Sequence, residues 1–130
     1  MEFTEKNFED LFKEAADNPR LRFNIDLRNS GEDRSQRMLN ILMPGTKVDI
    51  HRHPLSSETV FCLHGRLDEI LYDDSGRETG RIQLCPRDGR HGCQIPKGAW
   101  HTVEVLEPSV IFEAKDGRYG EDGSEKYRNI

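Results

Sequence analysis

The sequence predicts an all-β, single-domain barrel preceded by one α-helix. Its length of 130 residues is that of one domain. Beyond the first 20 residues, apolar side chains occur in short alternating runs that turn-forming residues separate at regular intervals. Leu, Ile, Val and Phe make up about 23% of the chain, above the roughly 20% typical of disordered chains. We therefore expect a folded domain with a small core, for which a homodimer would provide additional buried surface.

The first segment has the pattern of an amphipathic helix over residues 4–17. Thr4 is a good N-cap, and four apolar residues follow at helical spacing, namely Phe8, Leu11, Phe12 and Ala15. Pro19 ends the helix because the residue before a proline disfavours the helical region. The predicted organisation is an N-terminal helix (1–20), a barrel (21–117) and a C-terminal tail (118–130), which is expected to be a loop.

Nine short strands are predicted in the barrel. Turn signals between them include Pro44-Gly45, residues 74–76, residues 96–98 and Glu107-Pro108. The strands are expected near residues 22–27, 36–43, 47–53, 58–64, 67–73, 80–84, 91–95, 101–106 and 109–115. Strands at such spacing are typical of a barrel or sandwich.

Composition narrows the classes of partner and compartment. The net charge of -5 argues against a nucleic-acid surface or an anionic membrane surface. No apolar run is long enough to span a membrane, and the first residues lack the pattern of a signal peptide. The three cysteines, an odd number without Cys-x-x-Cys spacing, are expected to be reduced thiols, which indicates a cytoplasmic protein.

Three histidines and one glutamate have the spacing of a metal site. His51 and His53 are two residues apart, so on a strand they face the same side. Glu58 opens the next predicted strand and His101 a later one, so both can converge on the same point. Imidazole nitrogens with one carboxylate oxygen suit a divalent ion such as Zn, Fe, Ni, Cu or Mn. We predict one bound divalent metal, with Zn, Fe, Ni and Mn as the candidates.

The same residues carry a resemblance to the cupin family. The first conserved cupin motif is similar to Gly45, His51, His53, Glu58 and Gly65, position for position. The second resembles the later segment at Pro96, Gly98 and His101. The chain departs from this second motif at two positions. The leading glycine of the motif is Arg90 here, and its final asparagine is Val105. The resemblance implies a jelly-roll-like cupin barrel with a bound divalent metal.

The flanking segments, residues 33–40 and 112–119, resemble the WbuC-type cupin metalloproteins. Ile50 and Arg118 depart from that group, which often has proline at both positions. The WbuC-type proteins are small bacterial proteins associated with surface-polysaccharide gene clusters. The resemblance brings no established reaction with it.

A polar pocket beside the metal is a further prediction. Gln36 and Asn40 share a strand face, and Tyr119 belongs to the resembling C-terminal flank, so these three are the candidate substrate-binding residues. No catalytic residue is assigned. The first functional hypothesis is a metal-dependent enzyme acting on a small molecule such as a sugar or sugar derivative, of isomerase or epimerase type. The alternatives are an iron-dependent dioxygenase and a non-enzymatic metal- or carbohydrate-binding module.

Overall fold

The computed structural model describes residues 1–118 and 121–128 of the protein. These residues form one α-helix and eight β-strands. Helix α1 (Glu5–Asp17) comes first. The strands are β1 (Arg22–Asp26), β2 (Ser35–Leu42), β3 (His51–Arg52), β4 (Glu58–Tyr72), β5 (Glu78–Leu84), β6 (Gly92–Ile95), β7 (Trp100–Asp116) and β8 (Glu125–Lys126). A short 3₁₀ turn (Pro86–Asp88) lies between β5 and β6. The predicted all-β class with an N-terminal helix is confirmed.

Two long strands organise the barrel. β4 and β7 are antiparallel along nearly their whole length, from Thr59 opposite Ala114 to Tyr72 opposite Trp100. The first half of β4 also pairs with β6 and its second half with β5. β7 pairs with β3 in its first half and with β2 in its second, while β1 and β8 extend those neighbours. Through β4 and β7, all eight strands therefore belong to one curled sheet that encloses the interior.

Two pairs of predicted strands are in fact continuous strands, because the signals at Gly65 and at Pro108 mark bends instead of turns. The backbone of Gly65 takes φ +96°, in the region that favours glycine. A Cβ atom there would lie only 2.2 Å from the carbonyl oxygen of Pro108. Glycine thus allows β4 and β7 to cross closely where both bend.

The strand predicted over residues 47–53 is shorter than expected, and the predicted tail is more ordered. Only His51–Arg52 is a strand, and Pro54, which has no backbone N–H to donate, follows soon after. The segment expected to be a loop contributes β8, which pairs with β3. The predicted turn at residues 74–76 is confirmed, with the Asp73 N–H donating to the Arg77 carbonyl at 2.9 Å.

Apolar side chains form two separate clusters. The inner cluster fills the barrel at the bends and consists of Leu42, Val60, Cys62, Leu67, Leu84, Val105 and Ile111. The outer cluster joins α1 to the sheet and consists of Phe8, Ala15, Leu39, Ile41 and Val110. β2 serves both, because its alternate residues face the interior and the helix.

Helix α1 begins as predicted. The Thr4 side chain accepts a hydrogen bond from the Asn7 N–H at 3.2 Å, and Phe8 and Ala15 are buried against the sheet. The helix ends at Asp17, before Pro19. Among the residues that the structure describes, no helix is long and apolar enough to cross a membrane.

Candidate metal centre

The fold brings His51, His53 and His101 together inside the barrel. His51 on β3 is paired directly with His101 on β7, and His53 follows β3. The ring centroid of His51 lies 4.3 Å from that of His101 and 5.1 Å from that of His53. One ligand atom from each of the three side chains lies within 4.8 Å of the others. These atoms are close enough to share one metal ion.

Each imidazole has its Nδ1 atom engaged by an outer partner. The Nδ1 of His51 lies 2.8 Å from the Asp49 carbonyl oxygen, and that of His101 lies 3.0 Å from the Ala99 carbonyl oxygen. The Nδ1 of His53 lies 2.8 Å from the Ser124 hydroxyl. A backbone carbonyl can only accept, so Nδ1 carries the proton in the first two rings. The Nε2 lone pairs are therefore left for a ligand, as in protein metal sites.

Glu58 adjoins this triad at the start of β4. Its side chain is buried, and its Oε2 lies 3.0 Å from the Nε2 of His53. Neither Glu58 Oε2 nor His101 Nε2 has a hydrogen-bond partner among the described residues. Buried polar atoms are costly without a partner. These residues fit a divalent metal, because an ion placed among them would satisfy both orphaned atoms at once.

The surroundings keep the histidines neutral. Burial is the main cause that lowers the pKa of His51 to about 4, and the neighbouring His101 lowers it further. Burial also lowers the pKa of His101, and burial with the Lys115 ammonium lowers the pKa of His53. Neutral imidazole is the form that binds metal.

His51 and His101 line a cavity of about 600 Å³. Its walls include Gln36 and Asn40, the two predicted pocket residues that the structure describes, together with Glu58, Glu113 and Lys115. Tyr119, the third predicted pocket residue, lies outside the described residues. The size suits a small-molecule ligand.

Two further carboxyl groups line this cavity. Glu113 accepts a hydrogen bond from the Asn40 amide, and burial with the nearby Glu58 charge raises its pKa to about 8. Glu69 is 1% exposed, and burial raises its pKa well above the ordinary value. Glu69 was not among the residues predicted from the sequence. Its signal is an acidic residue between apolar residues of a strand.

Gln36 is directed toward the C-terminal segment as well as the cavity. Its Nε2 donates to the Gly117 carbonyl at 2.9 Å and to Asp122 Oδ2 at 3.0 Å. Burial acts to raise the pKa of Asp122, but hydrogen bonds from Ser124 and Gln36 and the Lys115 charge hold that pKa below its usual range. Asp122 was also missed, because the tail was expected to be a loop.

The remaining histidine and cysteine signals have structural explanations. His64 lies 2.6 Å from a carboxylate oxygen of Glu5 and packs against Phe12 of α1. The three cysteines are free thiols. Burial raises the pKa of Cys62 to about 11 and that of Cys93 to about 12. Such thiols are poor nucleophiles at neutral pH.

Barrel and histidine arrangement together define a protein of the cupin fold, and solved structures agree. CapF from Staphylococcus aureus, a capsular polysaccharide assembling protein, is 17% identical with a TM-score of 0.68, over 86% of this chain and 33% of that chain. A mutant of Bacillus subtilis oxalate decarboxylase OxdC is 17% identical with a TM-score of 0.60, over 81% and 27%. Peruvianin-I, a cysteine peptidase from Thevetia peruviana latex, is 18% identical with a TM-score of 0.56, over 75% and 58%.

The particular family is the one described as a domain of unknown function, DUF6016. Its model matches residues 3–84, and the chain belongs to it. No functionally curated protein matches the sequence. The chain spans about a quarter to a third of the CapF and oxalate decarboxylase chains, and the three neighbours have unrelated descriptions. The fold is therefore established, while function must be argued from the site.

Proposed function

We propose that this cupin binds one divalent metal through His51, His53, Glu58 and His101 and uses it in the chemistry of a small polar substrate. The single observation that supports this most strongly is the pairing of every histidine Nδ1 with an outer partner. That arrangement leaves the Nε2 atoms as the available ligand atoms, and one ligand atom from each histidine lies within 4.8 Å of the others, beside the buried Glu58 carboxylate.

The substrate class that we propose is a sugar or sugar derivative. Asn40 and Gln36 line the cavity with amide groups, which can donate to and accept from hydroxyl groups. The bound metal would supply Lewis-acid polarisation of a carbonyl or hydroxyl oxygen. The chain's own contribution is to hold the substrate on the amide wall and to exclude bulk water from a cavity closed by the apolar inner cluster.

Glu69 and Glu113 are the candidates for moving a proton in this cavity. An isomerisation or epimerisation by proton transfer moves a proton from one carbon and returns a proton to the substrate, so it needs an acid–base group near the ligand, a role that a carboxyl group can fill. Both side chains line the cavity, and Glu113 has a pKa of about 8, close to the range in which a group can act as both acid and base. This supports the isomerase or epimerase hypothesis over a binding module, which needs no such group.

Surface-polysaccharide metabolism is the proposed setting. The WbuC-type resemblance supports it, and CapF is described as a capsular polysaccharide assembling protein. At 17% identity the CapF comparison establishes the fold alone. The homodimer and the cytoplasmic location stay predictions. Phe61 and Leu63, 47% and 40% exposed on the outer face of β4, provide apolar surface that a dimer could bury.

The first test is metal analysis of untagged protein purified without added metal, compared with His101→Ala and with the control variant His91→Ala. His91 is exposed and is not among the predicted ligands. We expect about one equivalent in the wild type and in the control, and a loss of stoichiometric metal in His101→Ala. Wild-type protein that neither contains nor takes up a divalent metal would overturn the proposal.

The second test separates the reaction classes. Metal-loaded protein is incubated with a panel of sugar phosphates and nucleotide sugars, and product formation is followed together with oxygen uptake by the ferrous form. Conversion of a sugar without oxygen uptake is the expected result. Oxygen uptake with substrate would favour the dioxygenase, and binding of a sugar without turnover would favour the non-enzymatic module.

A further inference from the structure

Asp122 is a buried charge in a segment that is otherwise exposed. It is 5% exposed, whereas the residues immediately on either side, Glu121 and Gly123, are exposed. Its carboxylate is fully engaged. Oδ2 lies 3.0 Å from the Gln36 amide nitrogen and 3.3 Å from the Lys115 ammonium, and Oδ1 accepts from the Ser124 hydroxyl at 2.7 Å and its N–H at 3.2 Å. A buried carboxylate with this many donors is a built feature of the molecule.

Ser124 connects this carboxylate to the candidate metal centre. A hydroxyl has one hydrogen, and Ser124 donates it to Asp122 Oδ1. Its lone pairs then face the Nδ1 of His53, 2.8 Å away. Ser124 can therefore only accept from His53, so this contact holds the proton on Nδ1. The lone pair then lies on Nε2, the atom that faces Glu58 Oε2 at 3.0 Å. Backbone carbonyls hold the proton on Nδ1 in His51 and His101. In His53 the same tautomer depends on the side chains of Ser124 and Asp122.

The backbone holds this pair in place beside β3. Gly117 and Gly123 take φ of +101° and +74°, which lets the chain fold back over the barrel. The Tyr127 N–H donates to the Ile50 carbonyl at 2.8 Å, and β8 pairs with β3 next to His51. Asp122 and Ser124 therefore lie on a segment that is attached to the sheet that contains His51.

We propose that Asp122 and Ser124 are positioning residues for the metal: Asp122 fixes the hydroxyl of Ser124, and Ser124 fixes the tautomer and orientation of His53. This inference rests on the proposed metal site and extends it to a C-terminal segment that shares no motif with the ligands. Outer hydrogen-bond partners of metal-bound histidines commonly change metal affinity by roughly 10- to 100-fold.

Lys115 provides the competing explanation. Its ammonium lies 3.2 Å from the Nδ1 of His53 and 3.4 Å from the Nε2, so the nearer contact is to Nδ1, and an ammonium can only donate. If that contact determined the tautomer, the proton would sit on Nε2 and would oppose metal binding. The Ser124 contact is shorter, and Asp122 also attracts the ammonium. The two explanations predict different effects of removing the Ser124 hydroxyl: metal affinity falls if Ser124 fixes the tautomer and stays unchanged if Lys115 does.

The test measures the dissociation constant of Co²⁺ by competition with a chelator, together with the visible spectrum of the Co²⁺ protein. We expect Ser124→Ala and Asp122→Asn each to weaken Co²⁺ binding by roughly 10- to 100-fold. The double variant should be no weaker than Ser124→Ala alone, because Asp122 acts through the hydroxyl. Lys115→Met should leave the affinity unchanged or raise it.

Matched controls come from the distant hairpin at residues 73–77. There the Ser75 hydroxyl donates to Asp73 Oδ1 at 2.7 Å, in the same Asp-x-Ser arrangement. Ser75→Ala and Asp73→Asn should leave the Co²⁺ affinity and spectrum unchanged, and circular dichroism of each metal-free variant checks that it is folded.

Three results would overturn the inference. The first is an unchanged Co²⁺ affinity in Ser124→Ala and in Asp122→Asn. The second is additive losses in the double variant. The third is a loss in Lys115→Met equal to that in Ser124→Ala. If wild-type protein binds one equivalent of Co²⁺ and Ser124→Ala and Asp122→Asn bind it equally well, only the positioning role of Asp122 and Ser124 is wrong. If the wild type binds no Co²⁺, the proposed function and the positioning role are both wrong.

Discussion

The two ends of the barrel interior are built from the same strands but serve opposite purposes. At the bends, inward residues such as Val60, Leu67 and Val105 form the apolar end. Toward the strand ends, the same strands place His101, Glu58 and other polar residues in the cavity. The apolar end stabilises the fold by excluding water. The polar end contains buried atoms that have no hydrogen-bond partner in the part of the chain that the structure describes, which is a cost to stability that functional sites commonly carry.

The largest expected effect concerns acid at the polar end. Metal occupancy should fall from full to near zero as the pH drops below 6.5, the ordinary histidine value, because protons compete for the ligand nitrogens. Since burial lowers the pKa of His51 to about 4, the loss should extend toward that pH. Metal analysis after dialysis at each pH checks this. Occupancy that is unchanged from about pH 7 to about pH 4 would count against a three-histidine site.

The next effect concerns the apolar end. Leu67→Ala should lower the free energy of unfolding by about 2–5 kcal/mol, because Leu67 is fully buried and its removal leaves a cavity. The folded fraction should still bind one metal. Denaturant unfolding measures the first quantity, and Leu55→Ala, at a position 69% exposed, is the control. If Leu67→Ala removed the metal from folded protein, the two ends would not be separable.

A smaller effect concerns the pH dependence of stability in the metal-free protein. Burial raises the pKa of Glu113 to about 8, so between about pH 4.5 and 8 the folded state holds a proton that the unfolded state has lost. Stability from this group is therefore present at low pH and is lost as the pH rises, by at most about 1.4 kcal/mol per pH unit. Glu113→Gln should flatten this slope in denaturant titrations, while Glu9→Gln on the exposed face of α1 should not. An unchanged slope in Glu113→Gln would contradict the assignment.

The smallest effect on the fold is expected at the cavity wall. Asn40→Leu should change the free energy of unfolding by only about 1–3 kcal/mol, through the lost hydrogen bond to Glu113, and should leave the metal content intact. It should nevertheless abolish the thermal stabilisation by any sugar found in a ligand screen. Asn29→Leu, at an exposed position, is the control. Stabilisation that requires neither the metal nor Asn40 would contradict the proposed pocket.

Sequence predicted the histidines more readily than the acids. His51, His53 and His101 are set by local spacing and by period-two alternation, which hold over short strands. Glu69 was missed because it lies beyond the point where the register of β4 shifts, between Cys62 and Leu67. Inward residues have even numbers before that shift, as in Glu58 and Val60, and odd numbers after it. The sequence predicted two separate strands here, so the face of Glu69 could not be inferred from that of Glu58.

The C-terminal segment could not be predicted for a different reason. Its composition of glycine and charged residues is typical of a loop. Ser124 reaches His53 across 71 positions of sequence, and the partners of Asp122 come from β2 and β7. Contacts between such distant segments depend on how the sheet curls, which local patterns do not specify. The same applies to the merging of predicted strands into β4 and β7.

The most direct test of the metal centre is a crystal structure of metal-loaded protein, with anomalous diffraction measured at the absorption edge of the bound ion. We predict one strong anomalous peak within bonding distance of His51, His53 and His101 nitrogens and a Glu58 oxygen, at about 2.0–2.2 Å for a zinc-like ion. The Nδ1 atoms should keep their outer partners. A peak at any other place, or an ion that any of the three histidines does not bind, would contradict the account.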